Sequence, residues 1–287
     1  MRGGINPRNA ARIRIQRETS AWLKFAGNNV DADFSTLGFC LKERDVDAAH
    51  RFFTAVKPAD ASYGGGSAGQ VMPVHAPLPV PVFVVPIDTL ACAAGLLKTN
   101  PDARIGVLNM ASAYSVGGGY LAGAGAQEED LFRRTDVSVA LERCRPLYPI
   151  GPTRMLVQPR VRILRGEAPD YAWLAPPYKK VTMLTAAAVR KPTLDASHTR
   201  FAPPDEALMR TKIELLLVTA ATCKCDMLVL GAWGCGAYGC PPGHVAELFR
   251  DALATHGGAF KRVVFAILNA SYDVQDNYGT FKAVFAP

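Results

Sequence analysis

Residues 105–111, IGVLNMA, lead within a few positions into residues 117–130, GGGYLAGAGAQEED. The first segment is a short apolar run, which predicts a buried β-strand. Glycines just beyond a strand let the backbone approach a ligand closely because no side chain intervenes. The amide and acids that follow suit either a catalytic loop or an ordinary helix start, where carboxylates complement the helix dipole. The stretch therefore predicts a strand that ends beside a ligand, with a solvated helix start as the alternative.

The composition is that of a folded globular protein. Of the 287 residues, 49% are hydrophobic and 20% charged, which suits one large domain or two small ones. The net charge of +7 suits a polyanionic or phosphate-bearing partner, although a merely basic surface explains it equally well. Seven cysteines without a repeated spacing favour a reducing compartment and argue against a disulfide framework or a zinc site.

Two absences in the sequence bear on location. No apolar run reaches the roughly 18 residues that a membrane span requires. The first residues also lack the apolar core of a secretory signal. We therefore expect a cytoplasmic or nuclear protein without a membrane partner.

From residue 80 onward, apolar strands alternate with helical segments. We predict strands at residues 81–86, 105–111, 161–165, 181–189, 227–233 and 262–268, and helices at 88–98, 205–222 and 244–258. Such alternation predicts an α/β sheet covered by helices on both faces. The first 60 residues look mostly helical, and the glycine-rich residues 59–70 look like a flexible surface loop. We therefore divide the chain into a helical N-terminal extension, residues 1–70, packed on a core of residues 71–287.

A second glycine-rich loop, GAWGCGAYG at residues 231–239, also follows a predicted strand. In open α/β sheets ligands bind at the carboxyl ends of strands, and glycines there let backbone N–H groups reach phosphate oxygens. Gly234, Gly236 and Gly239 also spell the dinucleotide fingerprint G-x-G-x-x-G. Only 48 residues follow Gly239, too few for the remaining units of a Rossmann fold. We therefore interpret the loop as a phosphate contact outside Rossmann topology.

The acid block carries the candidate chemistry. Glu128 and Glu129 are neighbours, so on a helix their side chains diverge by about 100°. They do not readily form the facing carboxylate pair of most glycosidases. One of them could protonate a departing glycosidic oxygen and then activate water, while the other holds the ligand. Arg133 and Arg134 are expected to be exposed helix charges, with contact to the phosphates of a polyanionic partner as the alternative.

Together the two loops resemble the poly(ADP-ribose) glycohydrolases, in particular the microbial type with a macrodomain fold. The family signature is a glycine triplet followed a few residues later by Gln-Glu-Glu, and residues 117–119 and 127–129 satisfy it. Residues 230–239, LGAWGCGAYG, are similar to the family's diphosphate-binding loop. The resemblance implies a macrodomain-like three-layer α/β/α fold with a mixed central sheet, and an N-terminal helical extension.

The resemblance also implies an activity and a set of site residues. The protein would hydrolyse the ribose–ribose O-glycosidic bond of poly(ADP-ribose) and release ADP-ribose, with Glu129 as the catalytic acid/base and Glu128 holding the distal ribose. The implied substrate-binding residues are Asn109, Ser112, Gly117, Gly118, Gly119, Gln127, Gly234, Cys235, Gly236, Ala237 and Tyr238. For Tyr238 a place in the core is an equal alternative. Neither a metal nor a cofactor is implied, and we expect a monomer that acts on poly(ADP-ribose) or on an ADP-ribosylated macromolecule.

Two other functions stay open at this point. A mono-ADP-ribosyl hydrolase, acting on protein arginine or on nucleic acid, would keep Glu129 but need a cleft open to a macromolecule. A non-catalytic ADP-ribose reader has no need for adjacent glutamates beside the distal ribose. Fold alone does not separate these functions, because macrodomains serve both roles.

Overall fold

A computed structural model describes residues 6–29, 39–42, 77–269 and 275–286. Within these ranges one sheet contains seven strands: β1 Phe39–Lys42, β2 Val82–Val85, β3 Ile105–Met110, β4 Arg154–Arg162, β5 Lys180–Ala186, β6 Met227–Leu230 and β7 Arg262–Ala266. Their order across the sheet is β1-β4-β5-β3-β6-β7-β2. Strands β5, β3, β6, β7 and β2 are parallel, whereas β4 is antiparallel to both β1 and β5. The predicted mixed α/β sheet is confirmed.

Helices cover both faces of this sheet. In the described residues they are α1 Pro7–Asn29, α2 Thr89–Thr99, α3 Gln127–Arg134, α4 Val137–Arg143, α5 Pro203–Thr222, α6 Pro242–His256 and α7 Asn277–Phe285. One apolar core lies between the sheet and helices α5–α7, and a second lies between the sheet and helices α2–α4. Strand β3 supplies both, because alternate side chains such as Val107 and Leu108 point to opposite faces. The three-layer α/β/α architecture is therefore confirmed.

None of these helices is both long and apolar enough to cross a membrane.

Strand β4 is longer than the sequence predicted and begins earlier. The prediction covered residues 161–165, whereas the strand is Arg154–Arg162. Its register against β5 shifts between Gln158 and Val161, and Arg160 has a positive φ of 60°. A β-bulge of this kind interrupts the apolar alternation that marks a strand, and Pro159 removes a ladder donor. The pattern of the sequence therefore showed only the last part of the strand.

The N-terminal helix packs directly on the helix that follows the glycine triplet. Thr19 on α1 donates a hydrogen bond to the carbonyl of Arg133 on α3 at 2.8 Å and accepts one from Arg165 Nε at 3.0 Å. Farther along α1, the ring of Trp22 lies 5.4 Å from that of Trp173. Helix α1 is thus fixed to the core near its centre.

Strand β1 lies within the segment that was expected to be helical, and it extends the sheet beside β4. Sequence reasoning did not include this strand. The part of that segment after Lys42 and the loop of residues 59–70 lie outside the described residues. The division of the chain at residue 70 stays a prediction.

Candidate active site

A cleft of about 1000 Å³ opens at the carboxyl ends of β3 and β6, which are neighbours in the sheet. Each of these strands runs into one of the two glycine-rich loops, so both loops meet at this edge. The cleft lining includes the following predicted site residues: Ser112, Gln127, Glu128, Glu129, Gly234, Cys235, Gly236, Ala237 and Tyr238. The other four, Asn109, Gly117, Gly118 and Gly119, are not part of this lining.

Gln127 fastens the start of α3 to the end of β3. Its side-chain carbonyl accepts a hydrogen bond from the backbone N–H of Met110 at 2.9 Å, and its amide donates to the carbonyl of Leu108 at 2.7 Å. The side chain thereby satisfies a backbone N–H and a backbone carbonyl at the strand end, as a neighbouring strand would. Both of its polar atoms bond the backbone, which gives Gln127 a positioning role, and the substrate contact expected from the sequence stays a prediction.

Glu128 is a buried carboxyl with only 3% of its surface exposed. Its Oε2 accepts a hydrogen bond from the backbone N–H of Ser112 at 2.7 Å, and its Oε1 is buried without a partner. Burial raises the pKa of this carboxyl to about 8. Burial is the largest cause of this value and the charge of Glu129 adds to it, whereas the N–H of Ser112 and the polar groups of Gly117 and Asn109 lower the pKa only in part. At neutral pH Glu128 is therefore mostly protonated.

Glu129 repeats this arrangement on the other side of the glycine turn. Its Oε1 accepts a hydrogen bond from the backbone N–H of Gly119 at 2.9 Å, while its Oε2 is buried without a partner. Each of the two glutamates thus has one oxygen fixed by the backbone and one oxygen free to meet a ligand.

The two carboxyl groups converge on Gly118. A Cβ added there would contact Glu129 Oε1 and would lie 3.2 Å from Glu128 Oε2. The side chains leave the helix in different directions, yet both reach this glycine because it packs against the first turn of α3. The expectation that one glutamate acts on the bond while the other holds the ligand stays a prediction. Gly118 also has a φ of +55°, a conformation that favours glycine.

Asn109 lies behind the glutamates and is fully buried. Its amide donates to Thr185 Oγ1 at 3.3 Å, and its Oδ1 has no partner. The contact of this side chain with Glu128 places it in support of that carboxyl. A direct contact of Asn109 with the distal ribose stays a prediction.

Residues 111–115 form a turn that Tyr238 secures from the second loop. The Tyr238 hydroxyl accepts a hydrogen bond from the N–H of Ala113 at 3.0 Å. Ser112 Oγ accepts the N–H groups of Tyr114 and Ser115 at 3.3 and 3.2 Å. The Tyr238 ring is half-buried, packs against the core and lines the cleft, and its contact with the nucleotide stays a prediction.

In the second loop the glycines differ in what surrounds them. Gly234 has a φ of +82°, and a Cβ there would lie 2.6 Å from Cys240 Sγ and 2.7 Å from Ala188 Cβ. Gly236 is exposed, and a Cβ there would meet nothing within 4 Å. The loop is therefore tightly packed at its start and open at the position where a ligand can approach the backbone. The side chain of Cys235 is buried, so only its backbone can serve a ligand.

The expectation of exposed arginines on α3 is wrong. Arg133 and Arg134 are 0% and 2% exposed. Arg134 forms ion pairs with Asp88 at 2.8 Å and with Asp130 at 2.7 Å. Arg133 donates to the carbonyl of Ala124 at 2.8 Å. Helix α1 covers the face of α3 that the sequence pattern predicted to be exposed to solvent. The sequence of α3 alone does not show that a distant helix packs on it.

No sequence motif marks some of the residues that line the cleft. Arg12 of α1 reaches the cleft, and its guanidinium fills the space where Gly125 lacks a side chain. Tyr171 also lines the cleft and donates to Asp130 at 2.7 Å. These residues are far from the motif in sequence, and only the packing of α1 and of the segment after β4 brings them there. Across the described ranges, no group of three or more His, Cys, Asp or Glu side chains could hold a metal ion.

Comparison with known proteins shows which family this chain resembles. The sequence model described as "Microbial-type PARG, catalytic domain" matches residues 43–159, which include the glycine triplet and both glutamates. The chain resembles the microbial-type poly(ADP-ribose) glycohydrolases, or PARGs. No curated protein sequence matches it.

Solved PARG structures share the fold. The poly(ADP-ribose) glycohydrolase of Thermomonospora curvata matches with a TM-score of 0.74 and 26% identity, covering 96% of this chain and all of that one. The same protein bound to the inhibitor ADP-HPD matches with a TM-score of 0.73 and 25% identity over the same shares. The PARG of Deinococcus radiodurans in complex with ADP-ribose matches with a TM-score of 0.67 and 25% identity, covering 86% and 93%. The resemblance predicted from the two loops is therefore confirmed.

Proposed function

We propose that the protein is a poly(ADP-ribose) glycohydrolase, which hydrolyses the ribose–ribose O-glycosidic bond of the polymer and releases ADP-ribose. The observation that carries this proposal is the pair of adjacent glutamates converging on Gly118. Each has one oxygen bonded to a backbone N–H and one buried oxygen without a partner. An unpaired buried oxygen is costly in a folded protein, so a ligand that bonds both oxygens would be stabilised strongly.

Glu129 acts in this scheme as the general acid and base. Its protonated form gives a proton to the departing ribose oxygen as the C1–O bond breaks, leaving an oxocarbenium-like sugar. The resulting carboxylate then takes a proton from the water that attacks C1, and the acid is restored. Its anchored oxygen, held by Gly119, fixes the direction of the free oxygen throughout.

Glu128 holds the distal ribose. Since its pKa is raised to about 8, it is mostly a neutral carboxyl at pH 7 and can both donate to and accept from ribose hydroxyls. A neutral Glu128 also keeps its own negative charge out of the buried site.

The rest of the cleft suits the ADP portion of the substrate. Its volume of about 1000 Å³ lies at the upper end of ordinary ligand pockets. The open backbone at Gly236 and Ala237 supports the proposed diphosphate contact, and the half-buried Tyr238 ring supports a contact with the nucleotide. PARG structures of two bacteria contain ADP-ribose or the inhibitor ADP-HPD.

The test is release of free ADP-ribose from purified poly(ADP-ribose). We expect wild type to release it and Glu129→Gln to lose at least about a hundredfold in kcat, the scale of general acid–base catalysis. Calorimetric binding of ADP-ribose should remain measurable in the variant. The matched control is Glu142→Gln on α4, a partly exposed glutamate paired with Arg145.

Other outcomes would replace the proposal. If wild type binds ADP-ribose but releases none from either polymer or mono-ADP-ribosylated substrates, the protein is a reader. If it cleaves only mono-ADP-ribosylated arginine or nucleic acid, the chemistry stands and the substrate changes. Wild-type rates in Glu129→Gln would remove the assigned role of this glutamate.

A further inference from the structure

Helix α1 brings a cation to the cleft beside the first glycine-rich loop. Arg12 is half-buried and lines the cleft, and its guanidinium fills the space that Gly125 leaves open. Within the described ranges its hydrogen bonding is limited to a long contact of 3.5 Å from Nη1 to the carbonyl of Gly123. A guanidinium carries five N–H donors, so most donors of Arg12 remain available to a ligand.

A second guanidinium lies at the same loop. Arg133 is fully buried and also borders the cleft. Its Nη2 donates to the carbonyl of Ala124 at 2.8 Å, whereas its Nε and Nη1 are buried without a hydrogen-bond partner. A buried charge with unpaired donors is costly, so an anion that reaches this site would be stabilised.

No carboxylate in the described part of the chain forms an ion pair with either arginine. Asp130 on the same helix pairs with Arg134 at 2.7 Å and accepts the hydroxyl of Tyr171. Glu129 has one oxygen fixed by a backbone N–H. Glu167 lines the cleft but is exposed, and water weakens the interactions of an exposed charge. The two arginines therefore lack a fixed counter-ion among these residues.

The contacts of the glutamate pair show where the arginines lie. Glu129 bonds the N–H of Gly119, and a Cβ at Gly119 would lie 2.9 Å from the Cβ of Ala124, whose carbonyl the buried guanidinium bonds. Glu128 instead bonds the N–H of Ser112, in the turn that the second glycine-rich loop secures. The arginines and the proposed diphosphate contact thus lie on different sides of the pair, and the arginines are on the side of Glu129.

We propose that Arg12, with Arg133 behind it, binds a phosphate of the polymer unit that departs when the glycosidic bond breaks. This inference rests on the proposed function. There Glu129 gives its proton to the departing ribose oxygen, so the departing unit lies on the same side of the pair as the arginines. The departing ribose carries a 5′-phosphate only a few bonds away, and a guanidinium can bond two phosphate oxygens at once.

This subsite selects the substrate by charge on the departing side of the bond. The polymer presents a diphosphate there, which the two guanidiniums attract. An ADP-ribosylated arginine presents another guanidinium, and like charges brought together in a partly buried site disfavour binding. The arginines therefore favour the polymer over an ADP-ribosylated arginine, although both substrates contain the same ADP-ribose portion.

The experiment compares the binding of an ADP-ribose dimer with that of ADP-ribose itself. Calorimetry in the Glu129→Gln background, in which the dimer should stay intact, gives both dissociation constants. We expect Arg12→Gln to weaken dimer binding about tenfold or more, as the loss of a hydrogen bond between charged groups does, and to leave ADP-ribose binding unchanged. Arg12→Lys keeps the charge but not the two-pronged geometry, so its dimer binding should lie between these values.

Arg17→Gln serves as the matched control, because it removes an equal charge from the exposed face of the same helix. It should leave both dissociation constants unchanged. Dimer binding that is the same with and without Arg12→Gln would overturn the proposal. So would an equal loss for the dimer and for ADP-ribose, since Arg12 would then only support the shape of the cleft.

An ADP-ribosylated DNA oligonucleotide tests the other source of phosphate. If Arg12→Gln weakens its binding and leaves the dimer unaffected, the subsite serves nucleic acid and the proposal is wrong. Polymer hydrolysis by the wild type tests the proposed function separately. Hydrolysis together with unchanged dimer binding in Arg12→Gln removes the subsite alone. Dimer binding that depends on Arg12, without any hydrolysis, removes the proposed function alone.

Discussion

Replacing Glu128 by glutamine should stabilise the protein at alkaline pH. The pKa of Glu128 is raised from 4.5 to about 8 in the folded chain, chiefly by burial. Between these two values the unfolded chain ionises this carboxyl, whereas the folded chain keeps it protonated. The unfolded state therefore gains relative to the native state, and the free energy of unfolding falls by about 1.4 kcal/mol for each pH unit. Over the whole window the loss is about 5 kcal/mol, and above pH 8 it grows no further.

Glutamine removes this loss because it is uncharged at every pH. Its carbonyl can accept the N–H of Ser112 as Glu128 Oε2 does. We expect wild type and Glu128→Gln to have similar stability at pH 5. At pH 8.5 the variant should be more stable by up to about 5 kcal/mol.

Urea unfolding of both proteins at pH 5, 6, 7, 8 and 8.5 measures this difference. Other titrating groups, such as the buried Lys212 with its pKa lowered to about 8, affect both proteins alike and cancel in the comparison. Glu142→Gln, at a partly exposed position, should show no such trend. A difference between wild type and Glu128→Gln that does not change with pH would refute the reasoning, since Glu128 would then be ionised in the folded protein.

Two further substitutions test the geometry around the glutamates. Gly118→Ala should lower kcat at least tenfold and cost about 1–2 kcal/mol, because its φ is +55° and its Cβ would contact Glu129 Oε1. The control Gly95→Ala lies inside α2, where a Cβ meets nothing within 4 Å, and should raise the free energy of unfolding by about 0.5–1 kcal/mol without affecting kcat. A wild-type kcat in Gly118→Ala would contradict this account. Tyr238→Phe should leave the N–H of Ala113 without its 3.0 Å acceptor, costing about 1–3 kcal/mol in thermal or urea unfolding and weakening ADP-ribose binding in calorimetry. Unchanged binding by Tyr238→Phe would mean that its hydroxyl does not secure the turn.

Much of the fold could be predicted because local patterns and tertiary packing agree. The apolar runs at β3, β6 and β7 form strands that are buried on both faces of the sheet. A continuous apolar run is typical of such a strand. Asp88 caps α2 as its position suggests, accepting the N–H of Ala91 at 2.8 Å. Strand β4 was found only in part, because its bulge breaks the alternation on which the prediction relies.

The site was predictable in its motif and not in its surroundings. The position of Glu128 and Glu129 followed from the resemblance, but their joint contact with Gly118 depends on how α3 meets the glycine turn. The burial of Arg133 depends on α1, more than 100 residues earlier in the chain. Gln127 donates a hydrogen bond to the backbone carbonyl of Leu108. A sequence motif does not show whether a side chain in it bonds the backbone in this way or contacts a ligand.

The two glycine-rich loops use glycine for different physical reasons. In the first loop the space beside each glycine is taken by the protein itself: Phe132 and Tyr120 lie within 2.7 Å of a Cβ at Gly117, and Glu129 contacts one at Gly118. These glycines make room for the acids and for the rings beneath them, which explains why they stand outside the cleft lining. In the second loop the space beside Gly236 is empty, so its lack of a side chain leaves the backbone open to the cleft. The first loop therefore constrains the carboxyls of Glu128 and Glu129, and the second leaves its backbone open for the proposed diphosphate contact.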